Sequence, residues 1–407
     1  MIRIVHLLDD FAMGGVTRAL SLFEDPRMTR VSRSSTITME RKMRDAPVLD
    51  ADLIVIHVPP CWSRLPYLAA LRQRNPQARI VQVEHSYTRS FEQQLVSSPR
   101  RFRLLLRLAA GFVDEVISVS HAQARWLVEA GVPAKKVTTI HPWSGRFELS
   151  RVPDRVDHHG PLRLLAYGRF SPEKNYDALI EAVGYFRPDE VELTLFGGGP
   201  DEEALKASAR TIPHVSIMPA SPDPAPWLAR CDAVILPSRR EAFGLVATEA
   251  RMAGRAVLVA EVDGLPEQAE AGGGLVAELG TAEEIANAIS DLISRDLTEM
   301  GKAARAGVST QHGEIIRGWK AVIERAAVAV LGGASEAGGR QPASCRPWAD
   351  AGVERADDAD ERRSSEKDLP GGGACACRGG GTFAGASSDR GFHSLLPCGG
   401  RGHSGSA

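Results

Sequence analysis

Apolar residues fall in short runs along the chain. Each run is followed by a polar or glycine-containing turn and then by a stretch of helical period. Residues 2–8, 52–58, 79–83, 115–119 and 137–140 read as buried strands, rich in Val and Ile. Helical stretches lie between them at 16–23, 66–74 and 100–110. Another begins near His121, with Ser120 placed to cap it. Residues 142–161 are polar and carry Pro153, His158, His159 and Gly160, so they read as a linker. The alternation then restarts. Strands are predicted at 162–167, 192–196, 215–218, 233–236 and 256–260. Helices are predicted at 175–185, 202–209, 226–231 and 246–253, with a last one at 314–330. Alternating strands and helices imply parallel sheets wrapped by helices, here two α/β domains facing across a cleft. The expected division is 1–145 for the first domain, 146–161 for the linker, 162–313 for the second, and 314–331 for the last helix.

Composition supports two full cores, with 407 residues and 43% hydrophobic content. The formal net charge of −2, with both signs dispersed, excludes nucleic acid as the main partner. Only Cys61 and Cys231 of the six cysteines fall in globular-looking sequence, which fits a reducing, cytoplasmic compartment and no disulfide framework. The apolar start is stopped by Asp9 and Asp10, unlike a signal peptide, and no apolar run is long enough to span a membrane. Residues 332–407 hold 17 of the 39 glycines and a mixed-charge run, so that segment is expected to be a disordered low-complexity tail. It also has the composition of a frame-shifted GC-rich extension. Its Cys and His residues fit no zinc spacing well.

Three stretches carry candidate chemistry. In Leu236-Pro-Ser-Arg-Arg-Glu241-Ala-Phe243-Gly244-Leu245, a strand end leads through a loop into a helix. The backbone N–H groups of Phe243, Gly244 and Leu245 at that helix start favour an anion. Glu249, about one turn on, is placed to reach a ribose diol, and Glu241 to accept hydrogen bonds from a sugar. A solvated loop carboxylate and a surface glutamate would give the same letters. In Gly168-Arg169-Phe-Ser-Pro-Glu-Lys174, two cations at one strand end suit a diphosphate. Two surface cations are the plainer reading. Gly14 and Gly15 follow the first strand, where backbone N–H groups can meet a phosphate, although a tight turn also explains them. Gly197-Gly-Gly199 is not a dinucleotide fingerprint, because Asp201, Glu202 and Glu203 at the next helix start would repel a pyrophosphate. His57 and His85 end first-domain strands. His85 is the better candidate, since a polar loop follows it. Residues 100–110 form a basic amphipathic stretch suited either to an anionic membrane face or to packing on the sheet.

The order of these pieces resembles the retaining, family 4 glycosyltransferases of the GT-B type, glycosyl transferases group 1. The resemblance covers about residues 1–330. Its E-x7-E element falls on Glu241 and Glu249, its Gly-Arg…Lys element on Gly168, Arg169 and Lys174, and its N-terminal Gly-Gly loop on Gly14-Gly15. Thr248-Glu-Ala-Arg-Met-Ala-Gly254 resembles the run that follows in the family. The resemblance implies two Rossmann-like doubly wound domains and transfer from a UDP- or GDP-sugar to a glycan or lipid-linked acceptor. It assigns catalysis to Glu241, His85, Arg169 and Lys174. It assigns donor binding to Gly14, Gly15, Arg169, Lys174, Gly199, Phe243, Gly244, Leu245 and Glu249. No metal or other cofactor is implied for the chemistry. A last helix bearing Trp319 is implied to cross back to the first domain. Departures fall at Ala220 and at Val262-Asp263-Gly264-Leu-Pro-Glu267, where the family is richer in glycine. An inactive nucleotide-sugar-binding homologue and a sugar-nucleotide epimerase are the alternatives on the same fold.

Overall fold

The computed structural model describes residues 1–9, 15–40 and 42–336. Gly14 and the tail beyond Glu336 lie outside the described residues, and with them the expectations placed there. Among the described residues, twelve strands form two six-stranded sheets, and every pairing is parallel. The first holds β1 (Ile2–Leu8), β2 (Ser32–Thr38), β3 (Leu53–Ile56), β4 (Arg79–Glu84), β5 (Glu115–Ser118) and β6 (Val137–Thr139), in the order β2-β1-β3-β4-β5-β6. The second holds β7 (Leu162–Arg169), β8 (Val191–Gly198), β9 (Val215–Pro219), β10 (Ala233–Leu236), β11 (Ala256–Ala260) and β12 (Gly274–Ala277), in the order β12-β11-β10-β7-β8-β9. The helices of the first half are α1 (Gly15–Ala19), α2 (Pro26–Thr29), α3 (Leu65–Arg74), α4 (Arg89–Leu95), α5 (Pro99–Gly111) and α6 (His121–Glu129). Those that follow are α7 (Tyr176–Val183), α8 (Glu202–Ala209), α9 (Ala225–Arg230), α10 (Leu245–Met252), α11 (Ala282–Ile293), α12 (Leu297–Ser309) and α13 (Gln311–Glu336).

The central strands are buried on both faces, which is why they read as unbroken apolar runs: β3, β5, β10 and β11 have no exposed position. The edge strand β2 (SRSSTIT) was not foreseen. Most of its side chains face solvent, so it has no apolar run, and its register along β1 alone defines it. The edge strand β12 was also missed: its sequence GLVA is apolar, but it is only four residues long.

α13 packs across the first sheet. Ile315, Ile316, Trp319, Val322, Ile323 and Ala326 share one buried cluster with Ile4, Leu53, Val55, Val81 and Ile117. Each buried Ile, Leu or Val side chain there contributes roughly 1.5–3 kcal/mol on burial. Arg325 of α13 fixes the crossing further, donating to Glu115 at 2.6 and 3.2 Å. The polar stretch 146–161 is also packed. Leu149 and Val152 enter the second core. Asp232 holds Arg155, His158 and Arg163 around one buried carboxylate, and despite burial these partners pull its pKa down to about 2.

Candidate functional site

In a doubly wound sheet, ligands bind beyond the carboxyl ends of strands where the strand order reverses. These reversals lie at β1, between β2 and β3, and at β7, between β8 and β10. The loops that leave β7 and β10 carry the two most informative sequence stretches, and they hold each other. Arg239 N–H donates to the Glu173 carbonyl at 2.8 Å, and its guanidinium donates to the Pro172 carbonyl at 2.7 Å. Asn175 takes the left-handed conformation, with φ of 57°, and donates from a fully buried amide to the Leu279 carbonyl at 2.7 Å. This clamp brings Lys174 Nζ to 2.5 Å from Glu241 Oε2, with both side chains mostly shielded from solvent. Burial alone would push the Lys174 ammonium down, but the Glu241 carboxylate outweighs it and holds the pKa above its ordinary value. Arg169 closes β7 in register with Gly198 and is exposed.

Glu249 sits in α10 with its side chain nearly inaccessible. It accepts from the Tyr167 hydroxyl at 2.7 Å and from Arg18 of α1 at 2.5 Å, and Arg146 Nε lies 3.3 Å away. Burial raises its pKa against these partners. Arg18, Arg146 and Tyr167 thus already engage the Glu249 carboxylate. Gly15 meets the start of α10, where an added Cβ would lie 3.1 Å from Leu245 Cδ1. Gly244 precedes α10 at φ of 92°, and a Cβ there would fall 2.6 Å from Leu265. Only glycine suits that conformation and contact. The Phe243 side chain is buried in the cluster of the first sheet and rests 4.9 Å from the His141 ring. Gly199 has a packing reason of its own: a Cβ there would meet the Phe170 carbonyl oxygen at 2.3 Å.

On the first-domain side, His85 follows β4, and its Nε2 lies 3.1 Å from His57 Nδ1. The preceding Glu84 is buried and accepts the N–H groups of Ser86 and Tyr87 at 2.9 Å each, which fixes the turn that presents His85. Burial pushes the Glu84 carboxyl up from 4.5 to about 7. Because the folded pKa is the higher one, the associated stability is complete below about 4.5 and is lost as pH rises through about 7. That interval corresponds to about 3 kcal/mol. Glu84→Gln keeps an acceptor for both N–H groups and carries no charge. It is expected to match wild type near pH 4.5 and to be the more stable protein at pH 8, as read by chemical denaturation at the two values.

Sequence reasoning missed the residues that join the domains. Asp263, a non-glycine residue at φ of 48°, accepts from Ser90 N–H at the start of α4 at 3.1 Å and from Glu241 N–H at 3.2 Å. Glu267 accepts from the N–H groups of His121 and Ala122 at the start of α6 at 3.1 and 2.7 Å. His141 lies beside this carboxylate, and one ligand atom from each of His121, His141 and Glu267 falls within 4.8 Å of the others. Both Glu267 oxygens are already engaged by α6, so the group reads first as a helix cap. The signal for Asp263 and Glu267 was present in the departure from a glycine-rich loop.

Two family descriptions match the chain: Glycosyltransferase Family 4 over residues 14–143 and Glycosyl transferases group 1 over residues 161–295. The chain belongs to the family 4, group 1 glycosyltransferases. Among curated members, D-inositol 3-phosphate glycosyltransferase 1 of Catenulispora acidiphila is 31% identical over 254 residues, covering 56% of this chain and 59% of that protein. An uncharacterized 41.2 kDa protein in the cps region of Klebsiella pneumoniae is 25% identical over 167 residues, covering 40% and 46%. The chain thus spans about half the length of the curated relatives it matches. Among solved structures, Anabaena HepE in complex with UDP and glucose superposes with a TM-score of 0.64 at 19% identity, over 80% of this chain and all of that one. Sucrose-phosphate synthase of Thermosynechococcus elongatus gives 0.64 at 18%, over 81% and 100%. At such identities the glycosyltransferase likeness is one of fold: two Rossmann-like domains of the GT-B type.

Proposed function

We propose that this family 4 member transfers a sugar, with retention, from a nucleoside-diphosphate sugar to a glycan or lipid-linked acceptor. The observation that carries the reading is the Lys174–Glu241 pair, clamped where β7 and β10 end and beside the start of α10. Arg169 and Lys174 neutralise the donor diphosphate, the N–H groups near Gly244 receive a phosphate oxygen, and Glu241 contacts the sugar. In the transfer, the bond from the anomeric carbon to the phosphate oxygen breaks. A bond to the acceptor oxygen forms on the same face, and the acceptor proton passes to the departing diphosphate. Glu249 receives the ribose once the Arg18 contact yields. UDP-sugars are the first donors to test, since the solved HepE relative holds UDP, and GDP-sugars come next.

A donor screen tests this. Purified protein is incubated with UDP-, GDP- and ADP-sugars, following hydrolysis and thermal shift. One donor that stabilises and is hydrolysed supports the transferase. Binding without turnover across a broad acceptor pool favours an inactive binding homologue. No response to any donor removes the site assignment.

A lipid-linked acceptor is supported by the outer face of α5. Leu104 and Leu108 are 41% and 43% exposed, among exposed Arg100, Arg101 and Arg107. No helix among the described residues is long and apolar enough to cross a membrane. Such a face suits peripheral contact with an anionic bilayer. Vesicles rich in phosphatidylglycerol should sediment the protein at low salt. The Leu104→Glu/Leu108→Glu double variant should lose about tenfold or more of that binding without loss of thermal stability. Equal sedimentation of the two proteins would remove the membrane reading.

A further inference from the structure

Three imidazoles on adjacent strands form one hydrogen-bonded chain. His6 lies in β1, His57 directly follows β3, and His85 directly follows β4. His6 Nδ1 is 3.0 Å from His57 Nε2, and His57 Nδ1 is 3.1 Å from His85 Nε2. The rings sit at centroid distances of 5.3 and 5.4 Å, the second pair stacked at 20°. His6 is 1% exposed and His57 9%. His85 is the only one of the three that is not buried. At the inner end, His6 Nε2 is buried without a hydrogen-bond partner among the described residues, and the ring packs at 4.5 Å from that of Phe23. Among the described residues the chain is therefore closed at His6 and open at His85, whose Nδ1 takes no part in it.

Three neutral imidazoles in such a chain have only two consistent proton arrangements. In one, His6 Nδ1–H donates to His57, His57 Nδ1–H donates to His85, and His85 carries its proton on Nδ1. In the other, every proton is reversed, and His6 must carry its own on the partnerless Nε2. A buried N–H without an acceptor is the rarer and costlier defect, so the first arrangement is favoured. A charged chain does not compete near neutrality, because burial pushes His6 down to about 3 and His85 down to about 4.

We propose that His6 and His57 are positioning residues that lock His85 as its Nδ1–H tautomer, so that His85 offers a hydrogen-bond donor to a substrate oxygen. This rests on the transferase reading, and it specifies His85 within it. His85 binds and orients a hydroxyl or phosphate oxygen, and it does not remove the acceptor proton. The closed end supports this, since a proton taken up at His85 has no exit through His6.

Nitrogen-15 spectra of histidine-labelled full-length protein without donor report the tautomer directly. His85 and His57 should both carry the proton on Nδ1. In His57→Leu, His85 should become a mixture of tautomers. In His57→Asn, whose amide N–H can replace the Nδ1 donor, the His85 signal should return towards wild type. With the donor identified by the screen, kcat should fall about tenfold in His57→Leu with donor KM nearly unchanged, and recover in His57→Asn. His85 protonated on Nε2 in wild type would overturn the proposal. So would a His85 tautomer indifferent to His57→Leu. If His57→Leu does not fold, His6→Phe replaces it: removing the closed end should likewise release His85 into both tautomers, and an unchanged signal would again overturn the proposal. Should wild type turn over no donor, the transferase reading falls while the tautomer result is decided independently.

Discussion

Lys174→Ala is expected to lower kcat/KM for transfer by about 10²–10³-fold, the scale on which loss of one preorganised electrostatic group acts. Two effects combine. The cation that would face the departing diphosphate is gone, and the Glu241 carboxylate, now 2.5 Å from nothing, remains as an anion beside the site. Glu241→Gln should cost less, because it keeps the shape and removes the charge. The pair then predicts its own non-additivity: the Lys174→Ala/Glu241→Gln double variant should be impaired by clearly less than the product of the single effects. Steady-state kinetics on all four proteins measure this. Simple additivity would mean the two side chains act on separate steps, and near-wild-type activity of Glu241→Gln would remove its contact with the sugar. Since Glu241 holds the Lys174 pKa above its ordinary 10.5, no alkaline loss of activity below that value should trace to Lys174.

The sequence made the central sheet and half of the site legible for a common physical reason. Strands buried on both faces must be continuous apolar runs, and ligand groups of a doubly wound fold must follow such runs. Lys174, Glu241 and Glu249 could thus be singled out by their distance from β7 and β10. The same logic hides β2, whose edge position demands no apolar run. It also hides the partners of those site residues. Arg18 meets Glu249 across 231 positions and Ser90 meets Asp263 across 173, so both contacts depend on how the two domains approach. Gly199 was singled out as a glycine, but the close packing on Phe170 that also demands it could not be read from the sequence. Local sequence signals element ends well, and it carries little about which side chain of one domain will cap a helix of the other.

The second large effect concerns that capping. Two carboxylates on one second-domain loop, Asp263 and Glu267, each accept N–H groups at the start of a first-domain helix, where orphan donors and the helix dipole favour an anion. Asp263 also accepts from the Glu241 backbone N–H, so one side chain ties the loop that carries Glu241 to the start of α4. Asp263→Ala removes three things at once: the hold on α4, the hold on Glu241, and a side chain that tolerates φ of 48°. Asp263→Gly separates them, because glycine adopts that φ freely. The expected result is that Asp263→Gly melts closer to wild type than Asp263→Ala, yet both lose transfer by about 10–100-fold through misplacement of Glu241. Adding Glu267→Ala should release the second helix, and small-angle scattering without donor should then give a larger radius of gyration than wild type. The depressed pKa of Glu267 sets the direction with acid. Burial would raise it, but His141 and the N–H groups of Ala122 and His121 outweigh burial. Its contribution is present above 4.5 and is lost as pH falls below that value, so acid should open wild type towards the double variant. A double variant with wild-type scattering and wild-type activity would mean that the caps follow closure and do not hold it.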